Sequence, residues 1–248
     1  MSDGRGAVLL DLDDTLYAYG PCHEAGLAAA HVHLDAAGVA PDPEDFRALH
    51  DAVRAELAAE LAGQAASHER SLFFKRVVER LTARADAALA LSTNAAYWDA
   101  FLARMALAPG APDVLDALAG GHELALVSNH TTAVQLRKIE RLGLGRWVPV
   151  IVTSEEVGVE KPDARVFARA LEALAARGAD PTRAVMVGDD PAGDVGGAAA
   201  AGLRTVLTIE FKERDGAGPG GRSGGGVAPD ATIARLTELP AVVERLLG

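Results

Sequence analysis

The chain has 248 residues and a formal net charge of −11, and its 49% apolar and 24% charged residues exclude wholesale disorder. The acid excess argues against a nucleic-acid partner, and a single cysteine, Cys22, excludes an internal disulfide. The apolar run at residues 7–10 is too short for a signal peptide or a membrane span, so a cytoplasmic protein with no membrane partner is expected.

Residues 6–12 (Gly-Ala-Val-Leu-Leu-Asp-Leu) form a short aliphatic run without alternation, the pattern of a strand buried on both faces. From Pro21 to about Leu107 the apolar spacing turns to three and four. It predicts helices over 24–37, 43–61, 69–89 and 94–107, broken at Pro41, Pro43, Gly63 and Ser92-Thr93. Beyond Pro109 the rhythm is strand, helix, strand. Strands are predicted over 123–128, 148–153, 184–188 and 204–208, with helices over 131–142, 164–176, 194–201 and 238–247. Such alternation requires right-handed crossovers and a mostly parallel sheet. The expected fold is therefore α/β, a Rossmann-like three-layer core over 1–18 and 108–248 with an all-helical insert over 19–107. The glycine-rich stretch 216–226 lacks the Gly-Lys-Ser/Thr ending of a phosphate loop and reads as a mobile loop after a strand end.

Chemistry-bearing residues fall at the strand ends. Asp11-Leu-Asp-Asp-Thr-Leu-Tyr17 closes the first strand, and the i, i+2 spacing turns Asp11 and Asp13 the same way, where two carboxylates need a cation, a proton or separate roles. Asp14 and Thr15 suit a turn or a helix cap. Ser128-Asn129 follows the second strand, Lys161-Pro162 the third, and Gly188-Asp-Asp-Pro-Ala-Gly-Asp194 the fourth. In an open parallel sheet these ends meet at one crevice. Carboxylates, a hydroxyl and an ammonium gathered there suit an anionic substrate bound through a hard cation, for which Mg²⁺ is the natural choice.

In these four motifs, in order and in register with the strands, the sequence resembles the haloacid dehalogenase superfamily, in particular its phosphatases with a helical cap after the first strand. The motifs are Asp11 to Tyr17, Leu126-Val-Ser-Asn129, Glu160-Lys-Pro-Asp163 and Val187 to Asp194. The resemblance implies that Asp11 is a nucleophile forming an aspartyl-phosphate and Asp13 the general acid and base. It implies that Ser128, Asn129 and Lys161 bind the phosphoryl group, with Lys161 also neutralising charge at the nucleophile. Mg²⁺ would rest on Asp11, the main-chain carbonyl of Asp13, and Asp189, with Asp194 as a further ligand or a partner of the ligands; Asp190 suits a helix cap better. Hydrolytic dehalogenases of this superfamily lack the acid at the position of Asp13, so its presence favours phosphoryl transfer.

The expected activity is Mg²⁺-dependent hydrolysis of a small phosphorylated substrate, a nucleotide or sugar phosphate, by a monomer or homodimer. Residues 153–163 and 135–143 also look like the nucleoside-monophosphate phosphatase branch. A phosphomutase using the same Asp11 and a non-catalytic binding protein are the alternatives. Tyr17, Tyr19, Cys22 and His23, at the junction with the insert, suit packing slightly better than substrate contact. Phe73 suits the insert's core and Lys75 its surface. His31 and His33 face different ways on a helix and make a poor metal pair, and His130 is the one histidine beside the predicted site.

Overall fold

A computed structural model describes residues 5–211 and 227–248, so the stretch read at 216–226 lies outside the described residues. The chain divides into two compact units, one built from the segments up to Ala18 and from Ala106 onward, the other from Tyr19–Met105.

The first unit carries a six-stranded sheet in which every pairing is parallel: β1 (Arg5–Leu10), β2 (His122–Ser128), β3 (Val150–Thr153), β4 (Ala179–Gly188), β5 (Arg204–Thr208) and β6 (Ala231–Ile233). Their order is β3-β2-β1-β4-β5-β6. Two faces must then be covered, which is why the central strands are aliphatic throughout. Ala7 and Leu9 join Ala125, Val127 and Met186 in a core closed by Val166, Phe167, Ala170 and Leu174 of α8 (Ala164–Ala175). Val8 and Leu10, equally buried, face the other way. Gly6 shares their face, and a Cβ there would meet Leu247 of α10 (Leu239–Leu247), so α10 lies on the side opposite α8. The order makes β1 and β4 neighbours whose following connections diverge, the switch point at which open α/β sheets bind ligands.

Several core elements were not foreseen, among them the one-turn α7 (Ser154–Val157) directly after β3. A helix, α5 (Ala111–Gly121), precedes β2; it starts at a left-handed Gly110, carries Pro112 and Asp113 in its first turn, and ends on Gly120-Gly121. Those punctuating residues are start and stop signals that read as a loop when the segment is only three turns long. The edge strand β6 has three residues, too few to show a period. The predicted helix 194–201 opens instead with a π-type turn over Pro191–Gly196 and continues as the short α9 (Gly197–Ala200).

The second unit is all helical: α1 (Tyr19–Ala36), α2 (Pro43–Glu60), α3 (Arg70–Thr82) and α4 (Ala87–Arg104). Asp42 caps α2 by accepting from the amides of Glu44 and Asp45. The break between the last two helices falls at residues 83–86, not at Ser92-Thr93 as the sequence suggested. Ala83 is left-handed and Asp86 caps Leu89, while the Ser92 and Thr93 hydroxyls donate back to the Leu89 carbonyl inside α4. Back-bonding of this kind lets a Ser-Thr pair stay helical. Gly26 of α1 allows the Tyr97 ring of α4 to cross directly over the backbone, because a Cβ there would stand 2.6 Å from the ring. Tyr97, Trp98, Phe101, Phe73 and Phe74 fill the interior. Lys75 is exposed and pairs with Glu79. No helix among the described residues is long and apolar enough to cross a membrane.

Candidate active site

The site grows from β1 and β4. The Asp11 amide donates to the Val187 carbonyl, extending the ladder one residue past the end of β1 and fixing the carboxylate at the strand's mouth. Its Oδ1 accepts from Lys161 Nζ at 2.7 Å and its Oδ2 from the Thr15 hydroxyl at 3.3 Å. The same ammonium donates to Asp194 Oδ1 at 2.6 Å and to the Val127 carbonyl at 2.9 Å. Lys161 is thus buried with three oxygen acceptors, which hold its charge and raise its pKa against the pull of burial. Asn129 sets the lysine in place: its Oδ1 accepts from the Lys161 amide at 2.7 Å and its Nδ2 donates to the Lys161 carbonyl at 3.0 Å. The Asn129 amide, expected on substrate, bonds that main chain at both ends.

Gly188 ends β4 against the Asp194 side chain, since a Cβ there would lie 2.1 Å from Asp194 Oδ2. That oxygen accepts from the Asp190 amide at 3.1 Å, and Asp190 caps the π-type turn through Ala192. Asp190 therefore does the work of a cap, as its position suggested. Asp11, Asp189 and Asp194 each bring an oxygen within 4.8 Å of the others. Burial pushes the Asp11 carboxyl well above the ordinary range; Lys161 pulls it down, and Asp194, Asp189 and Asp13 push it up again. Three carboxylates against one ammonium leave an excess of negative charge, and the donors are all oxygens. This set fits a hard divalent cation such as Mg²⁺.

Asp13 is placed differently from the other three acids. Both of its oxygens accept from Lys138 Nζ at 2.8 Å, and Oδ1 also accepts from the Tyr17 hydroxyl. Burial works against the charge of Asp13, but the Lys138 ammonium and these hydrogen bonds win and hold its carboxyl below the ordinary value. Ser128, at the end of β2, accepts from Gln135 Nε2. Lys138 and Gln135 lie on α6 (Thr132–Leu142), and neither was singled out from the sequence as a site residue. The available signal was two polar side chains three apart within the apolar stripe Val134, Ile139 and Leu142.

The remaining candidates make contacts within the protein, Tyr17 with Asp13. Tyr17 and Cys22 are buried, and His130 accepts the Thr131 amide at 2.8 Å. His31 Nε2 bonds to the Pro41 carbonyl and His33 Nε2 to the Ser92 hydroxyl. In the helical unit, Tyr19 accepts from the buried Arg70 guanidinium at 2.6 Å, and His23 Nδ1 bonds the Tyr97 hydroxyl at 2.7 Å.

A model of the haloacid dehalogenase-like hydrolases matches residues 6–202. The ribulose-1,5-bisphosphate 5-phosphatase of Halopiger xanaduensis is 42% identical over 238 residues, 96% of this chain and 98% of that one. The pyrimidine 5'-nucleotidase YjjG of Escherichia coli is 29% identical over 94% of this chain and 95% of its own length. Among solved structures, a 2-haloacid dehalogenase from Pseudomonas syringae matches with a TM-score of 0.71 at 27% identity, over 97% of this chain and 99% of that one.

Proposed function

The chain belongs to the haloacid dehalogenase-like hydrolase family and is a phosphatase within it, and on that premise we propose that it hydrolyses small phosphate monoesters with Mg²⁺, carrying the phosphoryl group on Asp11. The observation that supports this most is the division of labour among the carboxylates. Asp11 is gripped by Lys161 within a three-carboxylate group, while Asp13 is turned onto Lys138 and Tyr17. One acid is thereby set up as nucleophile and the other as proton carrier.

Asp11, Asp189 and the Asp13 main-chain carbonyl would hold the metal ion, with Asp194, which also holds Lys161, as a further ligand or a partner of the ligands. When bound, Mg²⁺ would neutralise charge on the phosphoryl oxygens. An Asp11 oxygen attacks phosphorus while the bond to the leaving oxygen breaks, and that oxygen takes its proton from Asp13, which must first bind the proton against the pull of Lys138. Water then attacks the phosphorus of the aspartyl-phosphate, its proton passes to Asp13, and the phosphorus–Asp11 bond breaks to release phosphate. Lys161 and the Ser128 hydroxyl stabilise charge on the transferring group.

Sugar phosphates, ribulose 1,5-bisphosphate among them, come ahead of nucleotides as substrates, because the 42% identical relative carries the former activity and the 29% identical one the latter. Phosphate release from a panel of both classes, in Mg²⁺ and in EDTA, tests the proposal. Release should need the metal and fall at least about 10³-fold in Asp11→Asn. Undiminished release by that variant would refute the mechanism, and transfer of the phosphoryl group to a second sugar in place of water would make the protein a mutase.

A further inference from the structure

Helix α6 reaches both the acid and the hydroxyl of the site. Lys138 is wholly buried, and two of its three donors close on the two oxygens of Asp13 at 2.8 Å each. One turn earlier Gln135 donates to the Ser128 hydroxyl, while its own Oε1 is buried with no partner among the described residues. Residues three apart on a helix share a face. The pair is therefore directed by one element at two strand ends, Ser128 after β2 and Asp13 after β1. Burying an ammonium is unfavourable unless it is paired, and an apolar residue would fill the stripe between Val134 and Ile139 more readily. A lysine here needs a reason beyond packing.

We propose that Lys138 is a positioning residue for Asp13, fixing the plane of its carboxylate so that one oxygen faces the leaving group and then the attacking water, while Gln135 from the same helix face holds the Ser128 hydroxyl. The proposal rests on the phosphatase mechanism above and adds a residue that its four motifs do not contain. A two-point grip holds a carboxylate against rotation, which a single hydrogen bond from Tyr17 does not. Misplacement of a reacting group by about 1 Å is enough to cost on the order of 10²-fold in rate.

The test compares Lys138→Met, Lys138→Arg and Asp13→Asn with the wild-type Mg²⁺ enzyme on p-nitrophenyl phosphate and on an alkyl phosphate such as ribose 5-phosphate. The aryl leaving group departs without a proton, so its kcat/KM reports attack by Asp11 alone, whereas the alkyl ester also needs Asp13. In Lys138→Met, kcat/KM should fall about 30- to 100-fold on the alkyl ester and within threefold on the aryl ester. A burst of p-nitrophenol equal to the enzyme concentration should precede slow turnover, and Lys138→Arg should recover most of the loss. Asp13→Asn should show the same split, more strongly.

Equal losses on the two esters, or none on either, would overturn the positioning role. If Lys138→Met does not fold, the arginine variant decides: its split must lie between wild type and Asp13→Asn, and an unsplit loss counts against the proposal. If Asp13→Asn shows no split while Lys138→Met does, the role given to Asp13 fails; if the wild type releases no phosphate from either ester, the phosphatase mechanism itself fails.

Discussion

Lys161 is the residue on which the site's charge turns. A buried ammonium between Asp11 and Asp194 stands only because each partner supplies an oxygen at 2.6–2.7 Å and Val127 supplies a third acceptor. Position 188 belongs to the same arrangement. The Asp194 carboxylate lies across Gly188 and cannot swing aside, since one oxygen is held by Lys161 and the other by the Asp190 amide. Gly188→Ala should therefore destabilise the protein by about 1–3 kcal/mol, the usual cost of overpacking, and should weaken Mg²⁺ binding as well, both readable by denaturant titration with and without the metal. A variant as stable and as metal-responsive as wild type would show that Asp194 can move freely. The motif Gly188 to Asp194 was legible in the sequence, but the reason for its glycine was not. That reason is a side chain six residues away folded back over the strand end.

At the scale of elements, two short features do more than their length suggests. The π-type turn Pro191–Gly196 rotates Asp194 back toward Lys161, and such turns often mark functional sites. α6 aims its buried polar pair at β1 and β2. In the helical unit, the packing of α1, α2, α3 and α4 encloses His23 and His50, whose rings stack among Tyr19, Tyr97, Phe73 and Phe74. Burial, reinforced by the charge of Arg70, pushes His23 down to about 3. Burial likewise takes His50 down to about 4, although Asp51 pulls the other way. Both imidazoles are neutral in the folded chain and titrate near 6.5 when unfolded. The unfolded state thus binds more protons between about pH 6.5 and 4, so this contribution to stability is intact above pH 6.5 and is lost as pH falls through that window. The melting temperature should drop from pH 7 to pH 5, and less so in His50→Phe. The raised carboxyl of Asp11 acts in the opposite sense, which is why the comparison is made variant against wild type at each pH. Parallel pH curves for the two proteins would reject the assignment.

For the whole molecule, three carboxylates gathered at one end of a sheet are a folding liability that a cation removes. Any ion binding the folded state alone stabilises it by mass action, about 2.7 kcal/mol at a hundred times its Kd, or roughly 5–10 °C in a chain of this size. Mg²⁺ should raise the melting temperature by that order, and Asp189→Asn should abolish the rise. A shift that survives Asp189→Asn would place the ion elsewhere. The sequence by itself determined the parallel α/β core, the all-helical insert, and the strand-end positions of Asp11, Asp13, Ser128, Lys161, Asp189 and Asp194. The core is encoded locally, in aliphatic runs without alternation, with Asp11, Asp13, Ser128 and Asp189 at or just past their ends, while Lys161 and Asp194 lie further along the connections that leave β3 and β4. Only the tertiary structure decided what each polar side chain bonds to. Asn129 serves the Lys161 main chain, Asp190 is a cap, and Lys138 and Gln135 reach the site from an apolar stripe. It also decided the helix break at Ala83, since a left-handed residue and a capping aspartate leave no periodic trace. Hydrophobic period is a property of neighbours along the chain, whereas a hydrogen bond across 125 residues, as between Lys138 and Asp13, exists only once the sheet has brought its strand ends together.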